Sequence, residues 1–103
     1  MESNDLVERT ISAPAQLDLV NREDFQRAAF SLVEEMPEGP GFVTIDLGET
    51  HCLDASALGA LALIQARAAN RQLGVRLKNA SEDVRFSLVL ARLENRFEFI
   101  DLE

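Results

Sequence analysis

The sequence predicts a small α/β domain with a mixed, largely parallel sheet of four or five strands and three or four helices. Two observations support this prediction. Short apolar, β-branched segments alternate with longer segments whose apolar residues recur at helical spacing, and turn-forming residues separate them. Strands that alternate with helices imply crossover connections and parallel strand pairs. The chain has 103 residues, the length of one domain, so we expect a single domain over residues 1–103.

The first half of the chain contains two predicted strands on either side of a helix. Residues 7–13 are predicted to form a short strand, and residues 22–36 a helix with Asn21 as its N-cap. The proline- and glycine-rich segment 37–41 predicts a turn. Residues 42–47 follow as a mostly apolar strand, which we expect to be covered on both faces.

The second half of the chain repeats this alternation. The sequence predicts, in order, a loop, a long helix, a strand, a second helix and a short final strand or helical turn, over residues 48–53, 56–73, 75–78, 82–93 and 97–100. Gly74 lies where a glycine commonly ends a helix, and Ser81 suits the N-cap of the second helix.

The second of these helices is predicted to carry two apolar faces. They are formed by Val84, Leu88 and Ala91 and by Phe86, Leu90 and Leu93. We expect the C-terminal segment with Phe97 and Ile100 to cover the second face. The alternative is a surface for a homodimer or another partner.

Composition and charge exclude several classes of partner. The formal net charge of −8 repels nucleic-acid phosphates and anionic lipid surfaces, so neither a nucleic acid nor a membrane is expected as a partner. The only cysteine, Cys52, cannot form an intrachain disulfide. Residues 1–5 are polar and acidic, unlike the start of a signal peptide. Together these features predict a cytoplasmic protein.

Motifs for catalysis are not found. A phosphatase loop needs a cysteine, five intervening residues and then an arginine, but after Cys52 the arginine position holds Leu58. No Walker or dinucleotide-binding loop occurs. The only histidine, His51, has too few neighbouring ligands for a metal site. We therefore expect a protein that is not an enzyme and has neither a metal nor a cofactor. An enzyme acting through Ser56 or Cys52 is the alternative.

The strongest candidate for a functional site is the segment around Ser56, at or near the start of the long helix. The free N–H groups and the positive end of a helix dipole favour a phosphate there. The plain alternative is that Asp54 or Ser56 is an N-cap and nothing more. A helical wheel places Ser56, Ala60, Leu63 and Arg67 on one outward stripe. We interpret this stripe as a docking strip for a partner.

Residues 17–99 resemble the STAS domain of bacterial anti-sigma factor antagonists. Leu-Asp-Leu at 17–19 is similar to a family signature before the first helix, and Ile-Asp-Leu at 45–47 to the strand before the phosphorylation loop. Leu-Asp-Ala-Ser at 53–56 is similar to the phosphorylation motif, with the phosphoacceptor position on Ser56. Residues 74–77 and 88–97 resemble the closing strand and helix.

The resemblance implies a partner switch. The unphosphorylated domain would bind an anti-sigma factor with serine kinase activity and so free a sigma factor. The kinase would phosphorylate Ser56, and a serine phosphatase would restore binding. On this resemblance and the helical wheel, the partner-binding residues are expected to be Asp18, Asn21, Asp54, Ser56, Ala57, Ala60, Leu63 and Arg67.

The chain departs from the family pattern at several positions. Ala57 follows the phosphoacceptor position where the family usually has glycine, and Ala55 precedes it instead of serine or threonine. Arg92 replaces a glycine common in the last helical turn, and the first of the usual five strands is barely present. The second interpretation is therefore a STAS domain that binds its partner constitutively, in a stress-signalling scaffold or a phospholipid ABC transporter complex.

Overall fold

A four-stranded parallel sheet with the strand order β1-β3-β5-β6 forms the centre of the computed structural model, which describes residues 6–101. Residues 1–5 and 102–103, the ends of the predicted domain, lie outside the described residues. The strands are β1 (Val7–Ser12), β2 (Gln16–Leu17), β3 (Gly41–Asp46), β4 (Cys52–Leu53), β5 (Leu73–Lys78) and β6 (Glu98–Ile100). The helices are α1 (Arg22–Glu35), α2 (Ala55–Ala69) and α3 (Glu82–Leu90), and a short 3₁₀ helix covers Glu94–Arg96.

The predicted fold class is confirmed. Every pair of neighbouring strands in the main sheet is parallel, with Val7 opposite Gly41 and Gly41 opposite Leu73. The strands β2 and β4 form a second, two-stranded parallel sheet. This small sheet was not predicted, because residues 48–53 read as a loop.

One face of the main sheet forms the hydrophobic core with the helices. Along β5 the residues alternate, with Leu73, Val75 and Leu77 buried. The helix α1 contributes Phe25, Ala29 and Val33 to the core, and α2 contributes Ala57, Leu61, Ile64 and Ala68. Burial of this apolar area is the main favourable term in folding.

The other face of the central strand β3 is covered by side chains of the sheet itself. The guanidinium of Arg76 lies 3.6 Å from the ring centroid of Phe42 and 3.1 Å from the carboxylate of Glu98. Thr44, which is 1% exposed, donates a hydrogen bond from its hydroxyl to Glu8. The strand β3 is thus largely covered on both faces, as expected, but not by helices on both sides.

The predicted C-terminal end of α2, at residue 73, is wrong. The helix ends at Ala69, and Gly74 is a residue of β5 instead of a helix C-cap. Gln72, with a φ of 61°, takes the left-handed conformation that turns the chain into the strand. Gly74 serves a different purpose, because a Cβ at this position would lie only 3.0 Å from the ring of Phe42.

The helix α3 is shorter than predicted, and its second apolar face is not covered. It ends at Leu90, after which Arg92 has a φ of 61°, the left-handed conformation that favours the glycine of the family pattern. The C-terminal segment then buries Phe97 in the core and continues as β6 beside β5. Phe86 and Leu90 consequently remain 62% and 68% exposed.

Candidate functional site

The small sheet of β2 and β4 brings together the two loops that precede α1 and α2. Leu17 lies opposite Leu53, and the backbone N–H of Asp54 donates to the carbonyl of Leu17 at 3.3 Å. The buried Thr50 donates from its hydroxyl to the carbonyl of Pro14 at 2.7 Å. Residues that lie far apart in the sequence therefore meet at the start of α2.

Asp18 and Asn21 shape the turn that follows β2. One carboxylate oxygen of Asp18, Oδ1, accepts from the N–H groups of Val20 at 3.0 Å and of Asn21 at 3.3 Å. Oδ1 of Asn21 accepts from the N–H of Asp18 at 2.9 Å, and its Nδ2 donates to the carbonyl of Gln16 at 2.7 Å. Asn21 occupies the predicted N-cap position of α1, but its side chain does not cap the helix. Both side chains are occupied in holding the turn.

The tip of this turn exposes two apolar side chains that the sequence analysis did not select. Leu19 is 66% exposed and Val20 is 90% exposed. In the sequence, their position between two turn-forming residues, Asp18 and Asn21, could have indicated that they lie at the tip of an exposed turn. Adjacent exposed apolar side chains in a fixed turn are typical of a contact surface.

Asp54 is the N-cap of α2 and connects the turn to the helix. Its Oδ1 accepts from Oγ of Ser56 at 2.7 Å and from the N–H of Ala57 at 2.9 Å. Its Oδ2 accepts from the N–H of Leu19 at 3.0 Å. The hydrogen bond from Ser56 is the largest cause that lowers the pKa of Asp54, followed by the bond from Ala57. Asp54 is therefore held in its charged form.

Ser56 lies in the first turn of α2 and is half-buried. Its backbone is helical, so it follows the N-cap instead of forming it. Its hydroxyl donates to Oδ1 of Asp54. Ser56 thus presents a hydroxyl group at a helix N-terminus, next to a carboxylate.

The predicted outward stripe of α2 is wrong in its phase. Ala57 and Ala60 are 0% and 1% exposed, so neither is available for contact with a partner. The helix is rotated by roughly a quarter turn from the predicted wheel. The exposed side of α2 that continues from Ser56 is formed by Gly59, Leu63 and Ala66. Leu63, at 53% exposure, lies outward as predicted.

Arg67 is engaged within the chain. Its Nη1 lies 2.6 Å from the carboxylate of Glu34 on α1, and its guanidinium lies 4.0 Å from the ring centroid of Phe30. The arrangement ties α2 to α1. Its side chain is 41% exposed while it makes these contacts, and its predicted role in partner binding stays a prediction.

Within residues 6–101, no group of three or more side chains with the usual metal-ligand atoms comes together. Across the same part of the chain, no helix is long and apolar enough to cross a membrane. Cys52 is an exposed free thiol.

The chain belongs to the STAS domain family, whose model matches residues 1–102. It is 31% identical over 98 residues to a STAS-domain containing protein of Pseudomonas aeruginosa (strain UCBPP-PA14), an alignment that covers 95% of this chain and 93% of the relative.

Solved structures with low sequence identity share the fold. A Thermotoga maritima protein assigned as an anti-sigma factor antagonist has a TM-score of 0.77 at 18% identity, over 95% of this chain and 84% of that one. A sulfate transporter family protein from Wolinella succinogenes has a TM-score of 0.71 at 14% identity, over 89% and 75%. The murine anion transporter Solute Carrier 26 family member A9 has a TM-score of 0.75 at 12% identity, over 92% of this chain but 16% of the transporter.

Proposed function

We propose that this protein is an anti-sigma factor antagonist, which binds an anti-sigma factor with serine kinase activity until phosphorylation of Ser56 ends the binding. The observation that carries the proposal is the position of the Ser56 hydroxyl. It lies at the start of α2, 2.7 Å from Asp54, between the exposed turn of Leu19 and Val20 and the exposed side of the helix. The fold shared with the Thermotoga maritima antagonist supports the same function.

The binding surface in this proposal combines the turn after β2 with the outward side of α2. Leu19, Val20 and Leu63 supply exposed apolar area, and Gly59 lets the backbone of a partner approach closely. Asp18, Asn21 and Asp54 hold this surface in place through the hydrogen bonds described above. Apolar anchors with a polar surround are the usual anatomy of a protein interface.

Phosphorylation would act on this surface directly. The γ-phosphoryl group of ATP passes to Oγ of Ser56, the bond to the bridging oxygen of ADP breaks, and the hydroxyl proton leaves to a base of the kinase. The product carries about −1.5 to −2 charges on a side chain that had none. This charge would lie beside the carboxylate of Asp54 and inside the interface, where it opposes close contact. A serine phosphatase would reverse the step by hydrolysis.

The test is incubation of the purified chain with a kinase-type anti-sigma factor and ATP, followed by intact-mass measurement. We expect the addition of one phosphate, its absence in Ser56→Ala, and its retention in Ser31→Ala, which alters an exposed serine on α1. Calorimetry of the unmodified and phosphorylated chains with the same partner should show binding only for the unmodified chain. A phosphate that persists in Ser56→Ala would contradict the proposal.

A second candidate is a STAS domain that binds its partner constitutively, as part of a scaffold or transporter complex. The shared fold with the sulfate transporter family protein from Wolinella succinogenes favours it, as does Ala57, whose buried methyl group replaces the family's glycine. Recovery of a transporter ATPase subunit with equal efficiency by the native chain and by Ser56→Glu would support this candidate.

Both candidates are interaction domains without a catalytic activity or cofactor of their own. The leading proposal places the protein in the cytoplasm, where sigma factors act. A homodimer through the exposed face of α3 is a further expectation, which light scattering on the purified chain tests. Hydrolysis of ester or phosphate substrates that depends on Ser56 would overturn the non-enzymatic assignment.

A further inference from the structure

One carboxylate group connects Ser56 to a turn 35 residues away from Asp54 in the sequence. Oδ1 of Asp54 holds the hydroxyl of Ser56 and the N–H of Ala57, and Oδ2 holds the N–H of Leu19. The two oxygens belong to one rigid planar group. A displacement of the whole carboxylate away from Ser56 therefore disturbs the bond from Leu19 as well.

The other hydrogen bonds that shape the turn are internal to it. The N–H groups of Val20 and Asn21 donate to Oδ1 of Asp18, and the side chain of Asn21 closes back on Asp18 and Gln16. The turn can thus keep its shape when the bond from Leu19 to Asp54 breaks. The pairing of β2 with β4 and the N–H of Asp54, which donates to the carbonyl of Leu17, would still hold the base of the turn. Its tip at Leu19 and Val20 would lose its own bond to the N-cap of α2.

We propose that phosphorylation of Ser56 displaces Asp54 from Leu19 and so frees the tip of the turn, Leu19 and Val20, from the N-cap of α2. The inference rests on the proposed function, because it gives that modification a second effect. The phosphate would add charge at Ser56 and would also remove the fixed placement of the exposed Leu19 and Val20 side chains.

Three changes at Ser56 act in the same direction. The hydroxyl proton that Asp54 accepts is lost, because a phosphate ester oxygen has no proton to donate. The new negative charge repels the carboxylate across a separation that is now 2.7 Å between oxygens. The phosphate also competes for the N–H of Ala57 at the helix N-terminus, where anions bind favourably. Of the side-chain bonds of Asp54, the one from Leu19 alone then opposes the movement of the carboxylate away from the phosphate.

The experiment compares amide exchange at three neighbouring residues in the full chain by ¹⁵N NMR. Phosphoserine is incorporated during synthesis as Ser56→phosphoserine. We expect solvent exchange of the Leu19 N–H to rise by roughly tenfold, the scale of one lost bond to a charged acceptor. Exchange at Val20 and Asn21, whose acceptor is Asp18, should stay within about twofold of the unmodified chain.

Two further variants provide reference values for the exchange rate of the Leu19 N–H. Asp54→Ser keeps a good N-cap for α2, but it lacks the second carboxylate oxygen, Oδ2, to which Leu19 donates. It should therefore give the Leu19 exchange rate expected once this bond is lost. Ser31→phosphoserine places the same charge on an exposed position of α1 and should leave Leu19 unchanged.

Two results would overturn the inference. One is a Leu19 exchange rate in Ser56→phosphoserine equal to that of the unmodified chain. The other is an equal rise at Leu19, Val20 and Asn21, which would indicate general loosening. Because the phosphoserine is installed without a kinase, the outcome does not depend on the proposed function. If a kinase fails to modify Ser56, the proposed function is rejected. The amide-exchange result for Ser56→phosphoserine remains valid in that case.

Discussion

Arg67 on α2 and Glu34 on α1 form an ion pair with a separation of 2.6 Å, and the same guanidinium lies over the ring of Phe30. The two charged side chains are 41% and 56% exposed, so solvent screens much of their attraction. The stacking on Phe30 adds a contact that salt affects less. Together these contacts make Arg67 a residue that joins the two helices.

Arg67→Ala is expected to lower the free energy of unfolding by about 1 kcal/mol, because an exposed ion pair and a stacking contact each contribute modestly. Urea denaturation measures this change. A double-mutant cycle with Glu34→Ala should give a coupling of about 0.5 kcal/mol. Unchanged stability together with weaker binding to the partner would instead place Arg67 in the interface.

Leu63→Glu is expected to weaken binding of the proposed partner and to change the free energy of unfolding by no more than about 0.5 kcal/mol, because Leu63 is 53% exposed. The matched control is the next residue. Ile64 is fully buried, so Ile64→Ala should cost about 2–5 kcal/mol. Calorimetric binding and thermal denaturation of both variants provide the measurement. Full-strength binding of a folded Leu63→Glu variant would remove Leu63 from the proposed surface.

Two glycines are expected to respond to alanine in opposite directions. A Cβ at Gly59, on the exposed side of α2, meets no atom within 4 Å, so Gly59→Ala should stabilise the helix by about 0.5–1 kcal/mol. A Cβ at Gly39 would lie 1.7 Å from the carbonyl oxygen of Gln72, so Gly39→Ala should cost about 1–3 kcal/mol. Chemical denaturation measures the change in the free energy of unfolding for both variants. A stabilised Gly59→Ala variant that binds its partner less tightly would show close approach at this position.

The regular elements were predictable, whereas the phase of α2 was not. Each main strand and the helices α1 and α3 have a clear pattern of apolar residues and a turn or cap at their ends. The helix α2 has small or apolar residues on nearly every side, including Ala60 on the buried side and Ala66 on the exposed side. With so little contrast, a helical wheel cannot fix which side faces the sheet.

The centre of the candidate site depends on contacts that no local pattern reveals. The sequence left open whether Asp54 or Ser56 is the N-cap, and only the extended backbone of Asp54 decides it. The bond from Leu19 to Asp54 depends on β2 and β4, two-residue strands that are too short for a periodic signal. Sequence patterns indicated the position of Ser56 but not its connection to the turn.

The pKa of Asp54 provides a last prediction, through the pH dependence of stability. The hydrogen bond from Ser56, followed by the N–H groups of Ala57 and Leu19, lowers this pKa below its ordinary value of 3.8. A carboxyl group with a lowered pKa in the folded state stabilises the fold above its unfolded pKa. That stabilisation is lost as the pH falls through the folded pKa. The stability difference between the native chain and Asp54→Asn should therefore be constant at neutral pH and should narrow below about pH 4.

The same relationship can be measured at the carboxyl group itself by NMR titration of Asp54. Ser56→Ala removes the largest cause of the shift, so the pKa of Asp54 should rise toward 3.8 in this variant. Ser81→Ala is the matched control, because Ser81 caps α3 through the N–H of Val84 and has no bond to Asp54. It should lower the stability of the chain by about 1 kcal/mol and leave the pKa of Asp54 unchanged. An identical titration of Asp54 in the native chain and in Ser56→Ala would show that the hydroxyl does not hold the carboxylate in solution, and the proposed coupling of Ser56 to the turn would lose its physical basis.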